Sequence, residues 1–193
     1  MPYFSDSDFT PQWIDSRHGI EGSVHRVKDL SFYNQFDEMV TDRNVSKKIY
    51  VAGFFDLQCR TFCRVVSKNM QKIQEAFSSD EHVKLLSHCV SVGVQSAELR
   101  RYANSYNAIE GKWHFLHGSA EAVQQHSQSA YLLDKRMLLI EQPHREQHPE
   151  RLILVDQSGY IRGVYSGTIT GDIQRIIEDI HILKKEFGNE EKK

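Results

Sequence analysis

The chain has 193 residues, enough for one domain with a substantial core and too few for two comfortable ones. Its composition is that of a soluble globular protein, with 39% hydrophobic and 26% charged residues, and a formal net charge of −2 gives no electrostatic footprint for nucleic acid. No apolar run approaches the roughly 20 residues of a membrane span, "MPYFSDSDF" lacks the basic start and apolar middle of a signal peptide, and three cysteines are too few for a disulfide scaffold.

Residues 1–24 are rich in Ser, Asp and Gly and are expected to wrap the surface as an extension, with Phe9 and Trp13 as anchors. "HRVKDLSFYNQFDEMVT" (25–41) alternates weakly and predicts a hairpin turning near Gln35–Glu38. "KIYVAGFFD" (48–56) is nearly continuous in apolar and β-prone residues, the pattern of a strand buried on both faces. From Cys63, the positions Val65, Val66, Met70, Ile73 and Phe77 recur at helical spacing. "VKLLSHCVSV" (83–92) predicts a second buried strand, and "SAELRRYANSYN" (96–107) a helix with Ser96 as N-cap. "WHFLHGS" (113–119) predicts a short strand ending at a Gly turn, followed by a helix over 120–130. "ERLILVDQSGYIRGVYSG" (150–167) predicts a hairpin turning at Asp156–Gly159. "TGDIQRIIEDIHILKKEF" (170–187) predicts an amphipathic helix, with Thr170 or Asp172 near its start, Lys184 and Lys185 in its last turns, and a polar tail at 188–193. Strands alternating with helices imply a layered α/β domain over 25–187. In such domains ligand chemistry gathers beyond the carboxyl ends of the strands, and Cys59 falls at such an end.

Cys59 and Cys63 therefore lie at a strand-to-helix turn, where the helix dipole favours thiolate. Arg60 and Arg64 follow them and push the same way if their side chains turn toward sulfur. Residues four apart on a helix hold their Cβ atoms roughly 5–6 Å apart, whereas a disulfide needs about 3.5–4.5 Å. A loop position for Cys59 could supply that adjustment. Two nearby thiolates that need not be bonded suit a soft metal ion, Cu(I) above all; two buried cysteines packing as small hydrophobes are the alternative. Of the ten histidines, His148, in a loop before the strand at 150, is the leading third ligand. His144 shares its segment, although Pro143 and Pro149 argue against a helix there. Zinc held by Cys59, Cys63, His144 and His148 is a further option. His18, His25, His82, His117 and His126 read as solvated surface, and His114 as pointing outward from its strand. His88 and Cys89 are adjacent in a strand and face opposite sides, leaving Cys89 as a core thiol.

Together these segments resemble the Sco/SenC/PrrC family of thioredoxin-like copper chaperones, in particular a membrane-tethered bacterial branch. The likeness runs from Pro2 to Glu186, carried by "YFSDSDFTPQWI", "HRVKDLSFYNQFDEMVT", "KIYVAGFFDLQCRTFC", "IEGKWHFLHGS" and "HPERLILVDQSGYIRGVYSGT". The resemblance implies a three-layer α/β/α sandwich with a mixed central sheet and an N-terminal β-hairpin. It implies a copper site, Cu+ or Cu2+, made by Cys59, Cys63 and His148; a nearby carboxylate would orient such an imidazole, and Glu146 and Glu150 are the candidates. The implied role is a metallochaperone rather than an enzyme, serving the copper-site subunit of cytochrome c oxidase or another copper or thiol protein. The implied location is the extracytoplasmic face of the bacterial cytoplasmic membrane, reached through an N-terminal anchor that precedes the given chain; were Met1 the natural start, the location would be cytosolic. A thiol–disulfide oxidoreductase using Cys59 and Cys63 as its redox pair is the alternative, and a non-catalytic thioredoxin-like interaction domain a further one. This chain departs from the family pattern at Arg60 and Arg64, which replace prolines, and at Val92 and Gln95, where the family has a proline and an aspartate.

Overall fold

The computed structural model describes residues 1–4, 11–12, 24–133 and 150–190. In chain order it contains a short antiparallel pair, β1 (Tyr3–Phe4) and β2 (Pro11–Gln12), then a hairpin, β3 (Ser31–Tyr33) and β4 (Met39–Thr41). A single turn, α1 (Asp42–Val45), leads into β5 (Ile49–Phe55), α2 (Phe62–Ala76) and β6 (Val83–Cys89). Next come α3 (Ser96–Ser105), β7 (Trp113–Leu116) and α4 (Ala120–Ser129), and finally β8 (Arg151–Val155), β9 (Ile161–Ser166) and α5 (Thr170–Glu190).

Five strands form one mixed sheet in the order β7-β6-β5-β8-β9, parallel from β7 to β5 and antiparallel from β5 through β9. β5 lies at its centre with all seven residues buried, as its unbroken apolar run requires. Gly53 allows that central position: a Cβ there would stand 2.8 Å from Cδ2 of Leu152 on β8. Alternation along the strands divides the core in two. Val51, Phe55, Leu85, Cys89 and Phe115 pack beneath α2, α3 and α5, while Tyr50, Phe54, Leu86 and Leu116 pack beneath the β3–β4 hairpin, α1 and α4. The result is the expected thioredoxin-like three-layer sandwich with an N-terminal hairpin.

Asp156 closes the β8–β9 hairpin. Its Oδ1 accepts from the backbone N–H groups of Ser158 (2.9 Å) and Tyr160 (3.0 Å), and its Oδ2 from Arg162 (2.9 Å). Arg162, buried, reaches on to Glu186 of α5 at 3.0 Å, which fixes that helix against the sheet edge.

Several expectations are corrected. The hairpin begins its pairing at Ser31 rather than His25, because Arg26 instead bridges to Tyr160 and Val27 N–H donates to the Gly159 carbonyl. β6 ends at Cys89, and Val92 is 76% exposed beside a turn in which Gly93 has φ +69°. Val65 is 45% exposed: it sits one residue off the stripe of Cys63, Val66, Met70 and Ile73 that faces the sheet. Gln95, not Ser96, caps α3, its backbone N–H donating to the Glu98 carboxylate at 3.1 Å. The Ser96 hydroxyl is taken up by Asp37 of the hairpin and lies 3.1 Å from His117 Nε2. α5 runs on to Glu190, so the first three residues of the expected 188–193 tail are helical, while Phe9, Trp13 and residues 191–193 fall outside the described residues.

Candidate metal and redox site

The turn after β5 is built by side chains. Asp56 Oδ1 accepts from the Gln58 backbone N–H (2.9 Å) and from the Ser91 hydroxyl (2.6 Å). Ser91 Oγ in turn accepts from the Leu57 N–H (2.8 Å), and Cys59 N–H donates to the Asp56 carbonyl (3.2 Å). Ser91, just past the end of β6, thereby holds the cysteine turn against the neighbouring strand, a pin that no sequence motif announced. Cys59 lies in the loop and Cys63 in the first turn of α2, as expected. Thr61, the N-cap, makes no side-chain cap bond. The Cys63 N–H, one of the helix's unpaired donors, instead donates to Cys59 Sγ at 3.3 Å. The first sulfur thus stands at the positive end of the helix and directly against the second cysteine.

Neither cysteine is in a disulfide and both are buried, Cys59 8% and Cys63 1% exposed, within the apolar cluster under α2. Above them the turn is open, since Gln58, Arg60, Thr61 and Arg64 are exposed. Burial, followed by the hydrogen bond from its partner thiol, pushes Cys63 up to about 12. At Cys63 desolvation opposes the thiolate that the helix dipole favours, and Arg64 beside it is exposed, where water screens its charge. Cys89, paired across the ladder with Phe55, belongs to the same cluster and is the core thiol its strand position predicts, also pushed up by burial.

The proposed third ligand, His148, lies outside the described residues, as do His144, His18 and Glu146. Among the described residues no group of three His, Cys, Asp or Glu side chains is placed to hold a metal. Glu150 is described, and its Oε2 accepts from the Thr168 hydroxyl at 3.0 Å. His82 is exposed as expected. His25 is half-buried, with Nε2 2.7 Å from the Ala130 carbonyl, and His114 is half-buried with Nδ1 3.5 Å from Asn34 Nδ2, so neither projects freely. His126, read from sequence as surface, is buried on the opposite face of the sheet from the thiols. Its ring lies 5.6 Å from that of His88, and Phe32 meets both edge-on. The α4 helix turns it inward, a placement its polar neighbours concealed.

A family model described as SCO1/SenC matches residues 21–185. The chain belongs to the SCO1/SenC family. Solved structures agree on the fold. A SCO1/SenC family lipoprotein from Bacillus anthracis is 23% identical, with a TM-score of 0.72 over 86% of this chain and 99% of that one. BsSco, described as a member of the Sco family of cytochrome c oxidase assembly proteins with a disulfide switch, is 20% identical, with a TM-score of 0.68 over 81% and 92%. ScoI of Bradyrhizobium japonicum, solved with copper bound, is 15% identical, with a TM-score of 0.65 over 82% and 99%. Among the described residues of this SCO1/SenC chain, no helix is long and apolar enough to cross a membrane.

Proposed function

We propose that Cys59, Cys63 and His148 hold copper as a cargo, and that the protein carries it to the copper-site subunit of cytochrome c oxidase. The observation that carries this reading is the thiol pair itself, one sulfur capping α2 and bonded to the backbone of the other cysteine at 3.3 Å. Two soft sulfurs and an imidazole suit copper in either oxidation state, and three protein ligands leave a side open for exchange with a recipient. The donor set fits the ion. Loading must displace the Cys63 proton, which burial holds tightly, so uptake and release are coupled to proton movement at that sulfur. The copper-bound Bradyrhizobium japonicum ScoI and the assembly role named for BsSco support the reading. The lipoprotein relative supports a place on the outer face of the membrane. The test is anaerobic copper titration against a competing chelator: one copper per chain, abolished in Cys59→Ser/Cys63→Ser and sharply weakened in His148→Ala. Unchanged affinity in His148→Ala removes that ligand and shifts weight to thiol chemistry.

Thiol–disulfide exchange is a second reading, favoured by the asymmetry of the pair. Cys59, on the loop, is the more accessible sulfur and the one at the helix end; Cys63 is enclosed, with its thiol pushed up. Cys59 thiolate would attack a partner disulfide and release one partner thiolate. Cys63, after losing its proton, would attack the mixed disulfide at Cys59 sulfur, releasing the second partner thiol and leaving Cys59 and Cys63 joined. Cys63→Ser should then trap the mixed disulfide, and Cys59→Ser should not.

A further inference from the structure

The turn and the helix behind the thiols carry a charge pattern that neither reading uses. Arg60, Arg64, Lys68 and Lys72 recur every four residues and all four are exposed. The last three share one stripe of α2 and span about 12 Å along it, and Arg60 lies in the exposed cysteine turn just before the helix. Among the described residues none of the four makes an ion pair. Lys72 bonds only to Asn69 Oδ1 of its own helix, at 3.0 Å. The one carboxylate of α2, Glu75, lies in the last turn and accepts from Gln71 at 3.0 Å. Like charges at this spacing oppose the helix, and a cation in its first turn opposes the dipole. The arrangement therefore works against folding, in a chain whose overall net charge is −2.

Apolar side chains accompany the cations at the thiol end. Phe62 is 37% exposed, Val65 lies one turn further on α2, and Val92 follows the serine that pins the turn. Exposed apolar side chains beside a run of one sign of charge combine the two elements of a protein interface, an apolar contact and a charged margin.

We propose that this basic ridge and its apolar end dock an acidic face of the protein that exchanges copper or thiols with Cys59 and Cys63. The proposal rests on the reading that those cysteines serve another protein, and it supplies that partner's chemistry: carboxylates along roughly one helix length, ending in an apolar contact over the turn. A protein face is favoured over an anionic lipid surface because the apolar residues and the thiols share one end of the ridge; a bilayer lying there would cover the sulfurs. Exposed charges of this kind act mainly through encounter rate and salt dependence.

The test uses two fluorescent twelve-residue peptides with the same Leu and Phe positions, one carrying Asp and Glu where the other carries Asn and Gln. Binding to the full chain is read by anisotropy at low and high salt. The acidic peptide should bind about tenfold more tightly at low salt, lose that advantage at high salt, and lose it at any salt in Arg64→Gln/Lys68→Gln/Lys72→Gln. Equal binding of the two peptides, or an acidic-peptide preference that survives in the triple variant, overturns the proposal. Ridge-dependent binding to phosphatidylglycerol vesicles with no peptide preference also overturns it, in favour of a membrane surface. Copper titration of the same chain keeps the two readings apart. Peptide preference without copper binding sustains the ridge and fails the copper site, and copper binding without peptide preference does the reverse.

Discussion

His88 and Cys89 are neighbours on β6 that point to opposite faces of one sheet, and the two buried titratable clusters they join behave alike in one respect only. On the helix-covered face, burial keeps Cys63 and Cys89 protonated. On the hairpin face, burial keeps His88 and His126 neutral, with His126 lowered to about 4. Desolvation selects the uncharged form in both places. Access separates them. The Cys59–Cys63 turn has exposed residues directly above it and is held by hydrogen bonds that can open. The imidazoles are enclosed by Phe32, Phe54 and Tyr131, with His88 Nε2 3.2 Å from the Tyr131 hydroxyl. Among the described residues, His88 Nδ1 and His126 Nε2 have no hydrogen-bond partner. The comparison teaches that a perturbed proton affinity marks a place of chemistry only where the group can also be reached.

The largest expected effect tests the accessible cluster. Replacing both Cys59 and Cys63 with serine should lower copper affinity by about a thousandfold or more, read by chelator competition, whereas Cys89→Ser should leave it within a few-fold. Equal loss from Cys89→Ser would place the soft ligands in the core rather than at the turn.

The enclosed cluster should announce itself through stability. A histidine lowered in the folded state is neutral there while the unfolded chain takes up a proton. Stability is therefore complete above the ordinary value of 6.5 and is lost as pH falls from there toward 4. His126 alone should contribute a loss of about 2–3 kcal/mol over that interval, with His88 acting in the same direction. Urea unfolding at pH 7.5 and 4.5 measures it, and His126→Gln should flatten the difference. A stability that does not change over that range would show that the cluster admits water or protons freely.

The pin comes next. Ser91→Ala leaves Leu57 N–H and Asp56 Oδ1 each short of a partner and should cost about 1–2 kcal/mol. Faster alkylation of Cys59 should accompany it, since the turn is freed from β6. Unchanged alkylation would mean that packing alone holds the turn. The smallest effect belongs to the arginines. Because both are exposed and burial dominates at Cys63, replacing Arg60 and Arg64 with proline should move that thiol by less than about half a unit. Thiolate absorbance during alkaline titration reports it, and a larger shift would show that one guanidinium folds over the sulfur.

Much of this was legible in the residues. β5 follows from an apolar run too continuous for a half-exposed strand, and the β8–β9 turn from Asp156 and Gly159, whose φ of +86° a glycine accepts without strain. The family resemblance pointed to the thioredoxin-like sandwich. Other placements were hidden because a side chain's surroundings are set by distant chain. Ser96 looks like a cap by local rules, yet Asp37 and His117 compete for its hydroxyl. Val65 obeys a helical pattern but misses the sheet by one position. His126, among glutamines and serines, reads as solvated until α4 is laid on the hairpin face.

Periodicity, turn chemistry and local spacing are enough to place most strands and helices and to set two cysteines at a strand-to-helix turn, and the likeness of whole segments to the family's, which the SCO1/SenC model bears out over residues 21–185, gives the family. That Ser91 holds that turn, that Cys59 sulfur caps α2, that burial pushes the Cys63 thiol up and that His126 lies in the core follow from the packed fold alone. Each of those depends on which remote groups exclude water from a side chain, and solvent exclusion is a property of the packed whole.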